Sequence, residues 1–204
     1  MSAEFLLITF IVVASPGTGA LYTLSAALGQ GARAGVLAAF ACTLGIVPHL
    51  AAAMMGIAAL LHASGLAYEA VKYAGVCYLL YMAWKNLQAD GALSVQGEKR
   101  VRAPLRVIGD GIALNLLNPK LSIFFVSFLP QFIPDQDPHP LLRMLELSGV
   151  FMGMTFLVFA VYGLAAAAAM RDSIVARPTA MAWMRRVFAA AFVALGAKLA
   201  LTER

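Results

Sequence analysis

The sequence predicts an all-α polytopic membrane protein, with six transmembrane helices arranged as two inverted three-helix repeats. Three observations carry that prediction. Of its 204 residues 62% are hydrophobic and only 12% charged, and the mean hydropathy is +0.83. Apolar runs recur at about the 20 residues that a spanning helix needs. Two of those runs are broken by proline, at Ser15-Pro16-Gly17 and at Asn118-Pro119-Lys120, one in each half of the chain. A helix broken at bilayer depth leaves backbone groups that hydrocarbon cannot satisfy, so such breaks persist where they line a cavity. Broken segments at matching positions of two repeats point to a substrate site near the midplane.

The first run extends from Glu4 to Leu28. Its apolar start, Phe5 to Ala14, followed by small residues, has the look of a signal peptide, but Glu4 is the one charge ahead of it and a basic leader is lacking, so it reads as a retained helix. The second and third runs are Val36 to Leu61 and Val71 to Leu87. A polar interval from Gln88 to Arg106, with Gly91, Gly97 and Pro104, divides the chain into a first repeat (1–87), a cytoplasmic linker (88–106) and a second repeat (107–204). The fourth run is Val107 to Ile133 and the fifth Leu147 to Met170. The sixth, Met184 to Leu201, has a short uncharged core from Val187 to Ala197 and relies on Arg185, Arg186 and Lys198 snorkelling to the interfaces; a five-span alternative leaves it interfacial.

Three spans per half is an odd number, so the halves enter the membrane in opposite directions. Faint internal similarity fits: Gly35-Val36 recurs as Gly149-Val150 and Lys72 aligns with Arg186, while an outer loop from Pro134 to Glu146 absorbs the different offset of Pro16 and Pro119. Threading the spans places most of the 15 basic residues on one side, among them Arg33, Arg100, Arg106, Arg171 and Arg185, against Lys72, Arg143 and Arg204 opposite. By the positive-inside rule the first group is cytoplasmic and both termini lie outside. The net charge of +5 is then accounted for by a basic face beside anionic lipid, with no need of nucleic acid.

Several segments carry a resemblance to a known family. They are Ser15-Pro16-Gly17-Thr18-Gly19-Ala20, then Lys72-Tyr73-Ala74-Gly75 leading into Tyr78-Leu79-Leu80-Tyr81, then Asn115-Leu116-Leu117-Asn118-Pro119-Lys120, followed by Phe128-Leu129-Pro130-Gln131-Phe132. In this order, over nearly the full length, the chain resembles the LysE/RhtB amino-acid exporters, and its Ser-Pro-Gly-Thr-Gly form is similar to the homoserine and threonine exporters. The resemblance implies efflux of amino acids or related small metabolites across the bacterial inner membrane, driven by the proton gradient. Relatives often carry an acidic residue in the second span where this chain reads Gly45-Ile46-Val47-Pro48-His49, so a coupling role for that carboxylate does not transfer.

Lys120, directly after the helix-breaking proline, is the sharpest chemical feature. A central lysine costs about 2.5 to 3.5 kcal/mol to insert, so it faces the bundle interior, water or a counter-ion. Two readings stand side by side. In one it attracts the carboxylate of a zwitterionic amino acid, or leaves a protein partner during transport; in the other it caps carbonyls freed by a broken helix. Asn115 and Asn118 can donate to a carboxylate and accept from an ammonium, and Ser15, Thr18 and the amides around Gly17 and Gly19 offer matching groups from the first span, or else bridge helices. For proton coupling the candidates are His49, titratable near neutral pH, and Asp110, at the start of the fourth span.

Other patterns point to packing. Cys42 and Cys77 lack metal or redox spacing, Tyr73, Tyr78, Tyr81 and Trp84 suit packing or interfacial anchoring, and Asp135, Asp137 and His139 suit a solvated turn. The Gly31–Gly35 and Gly149–Gly153 spacings permit close helix contact, of which a homodimer is one use. No phosphate-binding GxxxxGK[ST] loop occurs, which disfavours an ATPase. The prediction is a secondary transporter without cofactor or resident metal and not an enzyme. A metal-ion or thiol transporter and a non-transporting scaffold are the alternatives.

Overall fold

The computed structural model describes residues 2–15, 17–60, 65–88, 103–134, 137–172 and 178–201. Helix α1 (Ala3–Ala14) begins at Ser2, whose hydroxyl oxygen accepts from the Phe5 N–H at 3.2 Å. It ends at Ser15, which is extended (φ −64°, ψ 130°), the conformation that a following proline enforces. Pro16 itself lies outside the described residues. The chain resumes as α2 (Thr18–Gln30), bent 55° from α1. Gly31 closes α2 with φ +85°, a left-handed conformation that favours glycine, and so turns the chain directly into α3 (Ala32–Leu44).

After α3 come α4 (Val47–Leu60) and α5 (Gly65–Gln88). The second half opens with α6 (Pro104–Leu116), breaks at Leu117-Asn118, and continues as the short α7 (Pro119–Ile123), a π turn (Phe124–Phe128) and a 3₁₀ turn (Leu129–Phe132). The bend across this break is 51°. Two long helices follow, α8 (Pro140–Asp172) and α9 (Pro178–Leu201).

Helix α3 lies at the centre, packed on α2, α6 and α8, while α5 packs chiefly on α9. Gly35 of α3 and Gly163 of α8 approach closely, so that an added Cβ on either would come within 3.1 Å of the other's backbone. An aromatic core fills the second half: Phe124 and Phe151 stack at 4.5 Å between centroids, and Phe125 meets Phe151 edge-on at 5.2 Å. Large apolar side chains such as Leu7, Phe10, Met55, Trp84, Leu157 and Val161 are exposed around the outside, a surface suited to lipid rather than to water.

Among the described residues two helices are long and apolar enough to cross a bilayer on their own, Ala32–Gly56 and Pro140–Ala168, and each bent pair, α1 with α2 and α6 with the turns to Phe132, reaches the same standard as one span. The 24-residue α5 and α9 are long enough at 1.5 Å per residue but carry charged residues, Glu69, Lys72 and Lys85 in one and Arg185, Arg186 and Lys198 in the other. Arg186 is exposed; the side chains of Arg185 and Lys198 fall outside the described set, as do residues 89–102 of the linker.

Several boundaries differ from the sequence expectation. The outer loop stops short of Glu146, because Pro140–Glu146 is already helix: Asp137 Oδ1 accepts the His139 N–H at 2.8 Å and the prolines at 138 and 140 suit a helix entrance. Asp137 also receives Arg143 Nε at 3.4 Å, so it serves the loop-to-helix junction, whereas Asp135 is outside the described residues. Helix α5 starts six residues before Val71, and Pro104–Arg106 belong to α6. The glycine contacts also change: Gly35 meets Gly163, whereas an added Cβ at Gly31, Gly149 or Gly153 would meet nothing within 4 Å. Finally, the second span has its own interruption at Gly45-Ile46, just before Pro48.

Candidate substrate site at the helix breaks

A proline at position i withholds its N–H from the carbonyl at i−4. Pro16 therefore takes a backbone donor from Val12 O, and Pro119 takes one from Asn115 O, which keeps only the Asn118 N–H at 3.0 Å. Each of these carbonyls is taken by a side chain from the other half of the chain. Lys120 Nζ donates to Val12 O at 2.9 Å, and also to Ser15 O at 3.2 Å and Ser15 Oγ at 3.1 Å. His49 Nε2 lies 2.9 Å from Asn115 O. Because that oxygen only accepts, Nε2 carries the proton in this arrangement, which leaves Nδ1 to accept from the Ser122 hydroxyl at 3.0 Å.

Asn115 ties the second proline break to the interruption in the second span. Its Nδ2 donates to Cys42 O at 2.6 Å, a carbonyl released because the Ile46 N–H bonds Thr43 O instead. Its Oδ1 accepts from Asn118 Nδ2 at 3.4 Å, and Asn118 Oδ1 in turn caps α7 by accepting the Lys120 N–H at 3.1 Å. This packing needs glycine opposite it: an added Cβ at Gly19 would lie 2.7 Å from Asn115 Oδ1, and one at Gly45 would lie 2.8 Å from Asn115 Cβ and 2.9 Å from Ile112 O. The last turn of α1 is further closed by Tyr162, whose hydroxyl donates to Ala14 O at 2.7 Å.

Of the residues expected from sequence, Ser15, Asn115, Asn118, Lys120 and His49 come together, all buried. Gly17 abuts Lys120, since a Cβ there would sit 3.2 Å from Nζ. Thr18 is exposed on the first turn of α2. Asp110 is half-buried in the second turn of α6, about 7 to 8 Å along the helix axis from Asn115. Sequence reading missed Val12, Cys42 O, Ser122 and Tyr162; only Val12 had a signal, its place four residues before Pro16.

The end of α1 is the negative end of a helix dipole, and Lys120 puts an ammonium on it. A lysine ammonium has three donors, and three neutral oxygens take them here. Among the described residues no group of three His, Cys, Asp or Glu is placed to hold a metal ion. The two thiols are free and separate: Cys42 is buried against Gly19 O at 3.7 Å, and Cys77 is exposed on α5. Towards the end of the molecule that carries Ser2, a cavity of about 460 Å³ opens between the start of α1 and the end of the broken fourth segment, with Glu4, Gln131 and Arg143 on its wall.

Comparison with known proteins agrees with the reading of a membrane protein. The chain is 28% identical over 199 residues to the homoserine/homoserine lactone efflux protein of Salmonella typhimurium, covering 96% of this chain and 94% of that one. It is 31% identical over 160 residues to the leucine efflux protein of an Enterobacter species, covering 74% of each. A membrane protein of Pseudomonas aeruginosa is 31% identical over 202 residues, 93% of this chain and 89% of that one. No solved structure matches the chain. The family model described as LysE type translocator matches residues 10–203, nearly the whole sequence, and the chain therefore belongs to the LysE type translocators, which are transporters and not enzymes.

Proposed function

We propose that the protein is a secondary active exporter that moves amino acids out of the bacterial cytoplasm across the inner membrane, in exchange for protons and by alternating access. One observation carries the reading: at each proline break a backbone carbonyl in the protein interior is held by a side chain from the other half of the chain, Val12 O by Lys120 and Asn115 O by His49, side chains that can let go. A scaffold has no use for two buried, polar, broken helices.

In this reading six spans form two inverted repeats, 1–87 and 107–204, joined by the cytoplasmic linker 88–106, with both termini outside. The packing supports it, since α2 lies on α6, α3 on α8 and α5 on α9, each against its counterpart three spans on. Substrate enters from the basic side and docks between the breaks beside Ser15, Gly17, Thr18, Asn115, Asn118 and Lys120. Rocking of the repeats opens the site outward. His49, bonded on both ring nitrogens, carries the coupling proton; Asp110, nearer the start of α6, is the second candidate. The relatives' substrates suggest what is recognised. Homoserine, its lactone and leucine share a primary amine beside a carbonyl carbon, and the lactone has no free carboxylate.

Counterflow in proteoliposomes tests this, with leucine, homoserine and homoserine lactone among a panel loaded inside and labelled uptake followed with and without a pH gradient. Saturable exchange that responds to the gradient supports the exporter. Absence of exchange across the panel, from folded and inserted protein, refutes amino-acid transport.

A further inference from the structure

We propose that the three oxygens at the end of α1, Val12 O, Ser15 O and Ser15 Oγ, are the subsite for the ammonium group of the substrate, and that Lys120 occupies it as a tethered stand-in which the substrate displaces. The inference rests on the exporter reading and says which end of the substrate is bound first.

The group already in the cage is chemically the one a primary amine would bring. Lys120 Nζ and the ammonium of an amino acid are both –NH₃⁺, and the acceptors stand at 2.9, 3.1 and 3.2 Å from it. All three acceptors come from one turn of α1 and are fixed independently of Lys120. Val12 O lacks a backbone donor because of the proline four residues on, Ser15 Oγ is oriented by its own bond to Val12 O at 2.8 Å, and Ser15 is fully buried. The helix dipole adds partial negative charge, so the cage selects cations while holding no carboxylate that would trap one. Space is kept as well: a Cβ at Gly17 would stand 3.2 Å from Nζ.

Lys120 is the mobile member of the pair. It reaches the cage on a flexible four-carbon stem from the first turn of α7, just after the Asn118-Pro119 break. With its three protons committed to the cage, it has none left for a substrate carboxylate. When a substrate ammonium enters, Lys120 is released beside that substrate's carboxylate, so one exchange satisfies both charges. A lysine fixed on carboxylate from the start would take this donor from Ser15 O in the protein interior and leave Val12 O with only its bond from Ser15 Oγ, at the cost of weakly satisfied buried acceptors.

The test uses the purified full-length protein in detergent and two probes that split an amino acid in half: n-butylammonium, an amine alone, and 4-methylpentanoate, a carboxylate alone. Binding is read from thermal stabilisation across a concentration series. Lys120→Met removes the stand-in while keeping its length, and n-butylammonium is expected to bind it at least about tenfold more tightly than it binds the wild type, the worth of a charge-assisted hydrogen bond. Adding Ser15→Ala to Lys120→Met takes one oxygen from the empty cage and should reverse much of that gain. Should Lys120→Met fold poorly alone, n-butylammonium in the purification buffers is expected to restore the folded yield, and absence of rescue overturns the proposal. It is equally overturned if Lys120→Met weakens 4-methylpentanoate and leaves n-butylammonium unchanged, which would make Lys120 the carboxylate partner, or if neither probe responds, which would leave it a structural cap. The exporter reading stands or falls separately: tighter amine binding by a protein that exchanges no amino acid in counterflow would sink transport and keep the cage.

Discussion

Replacing Gly19 with alanine probes the close contact between the first turn of α2 and Asn115 of α6. An alanine methyl there would lie 2.7 Å from Asn115 Oδ1 and 2.9 Å from a ring carbon of Phe159. Neither neighbour is free to yield. The Asn115 amide is pinned by its 2.6 Å bond to Cys42 O, and Phe159 is buried and stacked on Tyr162. Forcing a methyl into such a site costs about 1 to 3 kcal/mol. Alanine also gains up to about 1 kcal/mol of helix propensity over glycine, which would blur the result if Gly19→Ala were read alone. Gly149→Ala supplies the reference, because that glycine is also helical but exposed, with nothing within 4 Å of an added Cβ. Gly149 lies mid-helix, where the propensity gain is at least as large as at Gly19, the second residue of α2, so propensity cannot hide the steric term of about 1 to 3 kcal/mol. For a chain of this length that corresponds to a melting temperature lower by about 2 to 12 °C for Gly19→Ala than for Gly149→Ala. Thermal unfolding of both variants in the same detergent measures it. Equal melting temperatures would mean that Gly19 and Asn115 do not touch, and the description of the site would fail with them.

Three further outcomes are expected. His49→Gln keeps a donor for Asn115 O but cannot titrate, so the protein should remain folded and exchange substrate while losing its response to a pH gradient; gradient-driven uptake at the wild-type rate would remove His49 from coupling. Tyr162→Phe deletes the 2.7 Å bond to Ala14 O and should lower stability by about 0.5 to 1.5 kcal/mol, visible as a drop of a few degrees in melting temperature, with no change meaning that another donor serves that carbonyl. A Ser2→Cys variant in a Cys42→Ser, Cys77→Ser background should react with a membrane-impermeant maleimide on intact cells, and labelling seen only after permeabilisation would invert the proposed orientation.

Much of the fold was legible because it follows from composition. Proline at 16 and 119, glycine beside one and asparagine beside the other, located both breaks, and the apolar runs located the helices, although α5, α8 and α9 begin six or seven residues earlier than the runs. The interruption at Gly45-Ile46 went unread because a lone glycine followed by Pro48 is common inside membrane helices, and the donor that satisfies the released Cys42 O, Asn115, arrives from another helix. The early start of α8 was hidden by prolines that mark a loop as readily as a helix entrance. The partner of Gly35 was not legible for a similar reason: regular glycine spacing is a property of one helix, whereas the close approach of Gly35 to Gly163 is decided by how two helices cross. Val12 was within reach of simple arithmetic, four residues before a proline. Ser122 and Tyr162 were not, since a serine and a tyrosine on apolar helices have no local pattern to set them apart.

The arrangement of caps bears on how such a protein can move. If each break were stabilised from within its own half, either could loosen without consequence for the other. Here the carbonyl that loses a donor to Pro16 is held by Lys120, one residue after the second break, and the carbonyl that loses one to Pro119 is held by His49 of the first half. Lys120 leaves its cage only if α7 or its own side chain shifts, and α7 also carries Ser122, the partner of His49 Nδ1. A displacement of α7 large enough to withdraw Lys120 therefore strains the bonds on His49 as well. Buried polar bonds of this kind are not relinquished one at a time without cost, because each unpaired group at membrane depth is unfavourable by itself. The two halves are thus tied through one short helix, so that, on the proposed reading, substrate at one break and a proton at the other would act on the same element, as coupling of the two fluxes would require.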